Sequence, residues 1–174
     1  MLNKSKKWCK FNPKHKYDEA AKFSKIIEFY LWKCPVPDTA YGSKTFSEYG
    51  WQEPKHFKVL KKKCGLGRNN DIDYITPKRS EFYDTLIHHG QFDSHAFSET
   101  VFILNSAQTM SDFFKDIRNA FAHGSFMIRK HPTSKQYYYF LESRNPETKR
   151  INARIILKTS TLIAWIRIVV KGPY

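Results

Sequence analysis

The sequence predicts a mostly α protein: an antiparallel helical bundle with a small antiparallel β insertion before its last helix. Three observations predict it. Ile103, Ala107, Met110, Phe114, Ile117 and Phe121 step by 4, 3, 4, 3 and 4, an unbroken apolar seam on one helical face. After Gly124 the period changes. Residues 126–130, 136–142 and 151–157 are short and rich in Tyr, Phe and Ile, and turn-forming stretches around Pro132 and Asn145-Pro146 separate them. Helical spacing then returns with Leu162, Trp165, Ile166, Val169 and Val170.

The elements follow in order. Residues 1–16 carry six Lys and no acidic residue, and read as a solvated, mobile basic arm. Asp18 suits a helix cap, and Ala20, Phe23, Ile27, Tyr30 and Leu31 keep helical spacing until Pro35 ends the helix. Residues 35–52 hold Pro35, Pro37, Gly42 and Gly50 and read as loop. A short basic helix spans 53–64 and stops at Gly65. Thr76-Pro77 starts another, with Phe82, Tyr83, Leu86 and Ile87 inward and Gly90 at its end. The seam helix begins near Ser94, with a break near Ser106 allowed by its length, and ends at Gly124. In the third β segment Ile151, Ala153, Ile155 and Leu157 alternate with the residues between them. Thr159 or Ser160 caps the final helix, and Gly172-Pro173 stops it.

Composition sets the outer bounds. A chain of 174 residues that is 41% hydrophobic fits one domain, 1–174, with a real core, which excludes a disordered chain. Thirty Lys and Arg against sixteen Asp and Glu give a formal net charge of +14 and point to a polyanionic partner. A biased genome rich in Lys, Phe, Tyr, Asn and Ile produces part of that charge without any function. Cys9, Cys34 and Cys64 are odd in number and lack CxxC spacing, which suits a reducing cytosol rather than a disulfide framework. The basic start has no apolar run behind it, so no secretory signal is expected. The longest apolar stretch, Thr161–Val170, is broken by Arg167 and falls short of the ~20 residues of a membrane span.

The chemistry concentrates at the end of the seam helix, in Ile117-Arg118-Asn119-Ala120-Phe121-Ala122-His123-Gly124. Arg118 and His123 are five residues apart, which sets them about 140° apart in direction. Asn119 and His123, four apart, share a face. Arg118 and Asn119 both avoid the apolar seam and face a surface groove or a partner subunit. A guanidinium suits phosphate because its planar fork donates two parallel hydrogen bonds and is always charged. An imidazole suits proton transfer near neutral pH. RNA supplies its own nucleophile, the 2′-hydroxyl, so this pair can attack RNA without a metal. An ordinary structural reading stands beside this one. His123-Gly124 also fits a plain helix C-terminus, and Arg118 also fits an ion pair with Asp116 or Glu99.

The segment DIRNAFAHGSF resembles the signature of the HEPN superfamily, helical domains marked by Arg, four to six residues, then His. Here the motif is Arg118-x4-His123 with Asn119 directly after the Arg. The β insertion and the closing TLIAWIRIV helix are similar to a plasmid-borne bacterial HEPN branch, so helix order extends the resemblance over 77–172. The resemblance implies a metal-independent endoribonuclease, cytoplasmic, with no cofactor. It also implies a toxin or phage-defence effector, working as a homodimer whose two motifs meet in one cleft, with a cognate antitoxin or regulatory protein as partner. Arg118 and His123 would be catalytic and Asn119 a polar support. Some toxin members carry a Tyr shortly after the His that their antitoxin modifies. This chain has Gly124, Ser125 and Phe126 there, a departure from that type. Other members bind RNA without cutting it.

Further candidates are weaker. Lys61, Lys62, Lys63, Arg68 and Lys115, with Lys55, Lys58, Lys78 and Arg79 in support, offer a phosphate-tracking surface, or simply solvated helix faces. Tyr137, Tyr138, Tyr139 and Phe140 could stack on bases, but alternation sends half of them to the core. His88, His89 and His95 with Cys64 lack zinc spacing, and no metal is expected. The Gly65–Asn70 stretch lacks the strand context of a phosphate loop.

Overall fold

The computed structural model describes residues 19–37, 39, 43–66, 72–78, 81, 84, 98–104, 109–134 and 136–174. Its architecture corrects the helical bundle. A five-stranded mixed sheet lies at its centre, in the order β1-β2-β5-β4-β3. The strands are β1 Asp73–Ile75, β2 Thr100–Ile103, β3 Phe126–Lys130, β4 Tyr137–Arg144 and β5 Ile151–Lys158. Among the described residues, four short α-helices accompany it: α1 Ala20–Ile27, α2 Phe57–Lys63, α3 Met110–Ala122 and α4 Thr159–Lys171.

The three expected strands formed, and two more joined them. β3-β4-β5 is an antiparallel meander, with Met127 opposite Phe140 and Leu141 opposite Ile155. β2 pairs antiparallel with the far edge of β5, and β1 pairs parallel with β2. Ile103, read as the first residue of the helical seam, lies in β2 opposite Ala153. The physical reason is local. Thr100-Val101-Phe102-Ile103 is β-branched and aromatic, and four residues are too few to separate a period of 2 from one of 3.6. An open edge of β5 satisfies their backbone groups. The helix therefore starts at Met110 and has 13 residues.

One face of the sheet and the helices share the main core. Val101, Ile103, Tyr139, Leu141, Ala153, Ile155 and Leu157 meet Phe113, Phe114, Ile117, Leu162 and Trp165 there. The reverse face carries Met127, Tyr138, Phe140 and Ile156 in one cluster and Phe102 with Leu104 in another. A register shift between Ser143 and Arg144 breaks the strict alternation of β5, and Ile151 packs with the Phe102 cluster instead of the main core. On that reverse face Glu142 is buried and ion-paired to Arg154 at 2.8 Å and Arg144 at 2.5 Å.

The first helix stops where Pro35 predicts, but its last turn widens to a π-helical turn over Glu28–Lys33. Phe29 and Tyr30 enter the core there, and Tyr30 donates to the Leu162 carbonyl at 3.3 Å. Two indoles fix α4 in the same way. Trp51 donates to the Val169 carbonyl at 2.9 Å, and Trp165 to the Cys64 carbonyl at 3.0 Å. The final helix begins at Thr159, one residue after Lys158, whose backbone is still extended. Thr159 is its first turn rather than its cap, and its hydroxyl donates to the Tyr137 carbonyl at 3.3 Å. The basic arm 1–16, Asp18 and the expected helix with Phe82, Tyr83, Leu86 and Ile87 lie outside the described residues.

Candidate functional site

Both ends of α3 are fastened, which fixes where its side chains stand. At the N-terminus Thr109 Oγ1 accepts the Asp112 amide at 3.0 Å and donates to Asp112 Oδ2 at 2.7 Å. The Met110 amide donates to the Glu53 carboxylate, a contact from 57 residues upstream. Two carboxylates thus face the positive end of the helix dipole. At the C-terminus the Ser125 amide donates to the Ala120 carbonyl at 2.8 Å and the Gly124 amide to the Phe121 carbonyl at 3.2 Å. That pair is a Schellman cap, and it requires the left-handed backbone that Gly124 supplies with φ of 63°. His123 is the cap residue and its side chain is exposed.

The core-facing stripe of α3 is Met110, Phe113, Phe114, Ile117, Ala120 and Phe121, all buried. The remaining arc carries the motif. Lys115, Arg118 and Asn119 are half-buried, and Ala122 and His123 are exposed. Arg118 Nη1 donates to Asn119 Oδ1 at 3.1 Å, so Asn119 supports the guanidinium. Arg118 sits on the side of the π-helical turn: burial pushes the Cys34 thiol well up, and the nearby Arg118 charge pulls against that shift. His123 lies about 7.5 Å further along the axis and about 140° around it. The structure therefore places Arg118, Asn119 and His123 on one helix end, with Arg118 and Asn119 in contact. Glu99, one of the two alternative partners for Arg118, pairs with Lys158 at 3.0 Å.

Sequence reasoning offered Asp116 only as an ion-pair partner for Arg118 and missed its burial. It is 9% exposed and lies on the margin of the buried stripe, four residues before Ala120. Burial raises its carboxyl to about 6, and Asp112 adds to that, while Ser143 and Lys115 pull it down. The Ser143 hydroxyl is itself buried and makes no hydrogen bond of good geometry. The signal was its phase: position 116 follows Phe113 by three, as the seam does. A folded value above the ordinary one means that the fold is favoured while the group is protonated. That advantage is complete below about pH 4 and is lost as pH rises through about 6. Asp116→Asn should therefore raise stability at pH 8 by on the order of 2–3 kcal/mol, with a smaller gain at pH 5. Urea unfolding at the two pH values reads this directly. An equal effect at both would show that ionisation of Asp116 is not the cause.

The expected phosphate-tracking residues divide. Lys61 Nζ lies 4.5 Å from the Phe57 ring centroid and 5.7 Å from that of Tyr74. Lys63 Nζ donates to the Pro173 carbonyl at 2.5 Å and lies 5.9 Å from the Trp51 ring centroid. Lys62 is exposed, Lys115 shares the α3 arc with Arg118, and Arg68 lies outside the described residues. Of the four consecutive aromatics, Tyr138, Tyr139 and Phe140 are buried. Tyr137 is half-buried, with Lys130 Nζ 5.1 Å from its ring centroid. His88, His89 and His95 lie outside the described residues. Among the described residues no group of three or more His, Cys, Asp or Glu could hold a metal, and no helix is long and apolar enough to cross a membrane.

No protein-family model, curated protein or solved structure matches the chain. The likeness to the HEPN signature thus rests on the segment Asp116–Phe126 itself.

Proposed function

We propose that the chain is an RNA-cleaving enzyme of HEPN type, with Arg118 and His123 as catalytic residues and Asn119 orienting Arg118. One observation carries the reading. A half-buried guanidinium in contact with Asn119 and an exposed imidazole occupy one helix end, and capping hydrogen bonds close that helix at both ends.

The chemistry is a transesterification. The 2′-hydroxyl loses its proton, its oxygen bonds to phosphorus, and the bond from phosphorus to the 5′-oxygen breaks. The leaving 5′-oxygen takes up a proton, giving a 2′,3′-cyclic phosphate and a 5′-hydroxyl. His123 moves one of these protons. Arg118 holds the phosphoryl oxygens, whose charge grows in the transition state. The wide angle between Arg118 and His123 suits a cleft completed by a second copy of the chain. A homodimer, a cognate antitoxin or regulatory protein, and a role as toxin or phage-defence effector in the cytoplasm are the wider expectations of the same resemblance.

The same angle also favours a second reading, an RNA-binding or regulatory module that does not cut. Incubation of the purified chain with mixed RNA pools in EDTA separates the two. Products ending in 2′,3′-cyclic phosphate support the enzyme. Binding without cleavage of any pool leaves the module.

A further inference from the structure

Five lysines stand in α2 and the turn before it, and the structure divides them into two groups. Lys61 and Lys63 turn back onto aromatic rings and the Pro173 carbonyl. Lys55, Lys58 and Lys62 are exposed, and no hydrogen bond, ion pair or ring contact engages them among the described residues. Lys58 and Lys62 are one turn apart on α2, about 6 Å along the axis, and Lys55 stands in the turn that leads into the helix. The opposite side of α2 is Phe57, Leu60 and Cys64, all buried. The nearest acidic side chain in sequence, Glu53, is already engaged by the Met110 amide. The three lysines therefore outnumber the one carboxylate near them in sequence, and that carboxylate is directed to the first turn of α3.

We propose that Lys55, Lys58 and Lys62 are an anchor for the phosphate backbone of an RNA strand, separate from the Arg118–His123 site. This rests on the ribonuclease reading above and extends it to how a long substrate is held. Three ammonium groups with no planar fork and no free ring among them grip phosphates rather than bases, so the anchor is indifferent to sequence. Glu53, two residues before Lys55, is joined to the first turn of α3. Arg118 stands eight residues beyond Met110, about 12 Å along the axis. A strand anchored on α2 must therefore span several nucleotides to reach Arg118, and long RNA benefits where very short RNA does not. An anionic membrane is the weaker partner. Binding flat on lipid needs a wide outward apolar face, and α2 turns its apolar face inward, leaving only Val59 outside.

The test uses the full chain in a His123→Ala background, so that binding is read without cleavage. Fluorescence anisotropy follows labelled single-stranded RNA of 20 and of 4 nucleotides. Lys55→Gln/Lys58→Gln/Lys62→Gln is expected to bind the long RNA at least tenfold more weakly at low salt. Its slope of log affinity against log salt should fall by about 2, close to 0.7 for each of three phosphates. The advantage of the long RNA over the short one shrinks with it. Lys61→Gln, which removes a charge facing rings, should leave the slope unchanged. Equal affinity and slope for the triple variant and its parent would overturn the proposal. So would loss of binding to phosphatidylserine vesicles with RNA binding intact, which assigns these lysines to a membrane surface. Failure of the unmutated chain to cut RNA would strike the catalytic reading and leave this titration standing.

Discussion

Replacing His123 with alanine is expected to slow RNA cleavage by about 10²–10⁴-fold, the usual contribution of a positioned acid or base. The structure separates this loss from misfolding. The His123 side chain is exposed, and its part in the helix cap is played by its backbone, whose amide donates to the Asn119 carbonyl at 3.0 Å. The neighbouring cap bonds come from the Gly124 and Ser125 amides. Alanine keeps all three, so the melting temperature should stay close to that of the parent. Arg118→Ala should lower cleavage as strongly. Arg118→Lys should recover little, because an ammonium lacks the fork that spans two phosphoryl oxygens and reaches Asn119. Cleavage rates in EDTA, read beside thermal melts, check both. Normal cleavage by both alanine variants would remove Arg118 and His123 from the chemistry.

Trp165→Ala should have the largest effect on stability, a loss of about 3–5 kcal/mol. The indole is 1% exposed and packs 5.4 Å from the Phe113 ring and 6.2 Å from that of Phe114, centroid to centroid. Its loss opens a cavity between α3 and α4 and leaves the Cys64 carbonyl without its donor. The melting temperature should fall by on the order of 10 °C. Trp165→Phe refills much of the volume but still loses the hydrogen bond, so it should fall between the two. A melt of Trp165→Ala within 2–3 °C of the parent would place the indole outside the cooperative core.

Some of this fold is written plainly in the sequence. β3, β4 and β5 show as aromatic and β-branched segments between strong turns, and α4 shows as a spaced apolar stripe. Two other strands do not show. β1 is three residues long, too short to carry a period, and its pairing is with a strand far off in the sequence. β2 borrows its identity from β5, and its Ile103 happens to fall in phase with the apolar stripe of α3. That coincidence turns a strand followed by a helix into one long helix, and a sheet protein into a bundle.

The candidate site was legible to a similar degree. The positions of Arg118, Asn119 and His123 follow from helical phase alone. Asp116 is buried where α3 packs on the sheet, beside Ser143 of β4, a neighbour that phase alone does not reveal. Nor does a run of lysines say which ones bend back. Lys61 and Lys63 do so because Phe57, Tyr74 and Trp51 lie beside them, and two of those rings come from other elements.

The position of β5 also has a consequence in time. It lies between β2 and β4, so Thr100–Ile103 can find its antiparallel neighbour only after Ile151–Lys158 has left the ribosome. Until then β2 and β1 have no sheet to join, and the aromatic residues of α3 have no complete floor. Distant pairings of this kind are slow to form and leave strand edges exposed while they wait. A nascent chain stalled before Asn145 should therefore be far more sensitive to protease than one released whole, and the interval between those two states is when a chaperone would matter most.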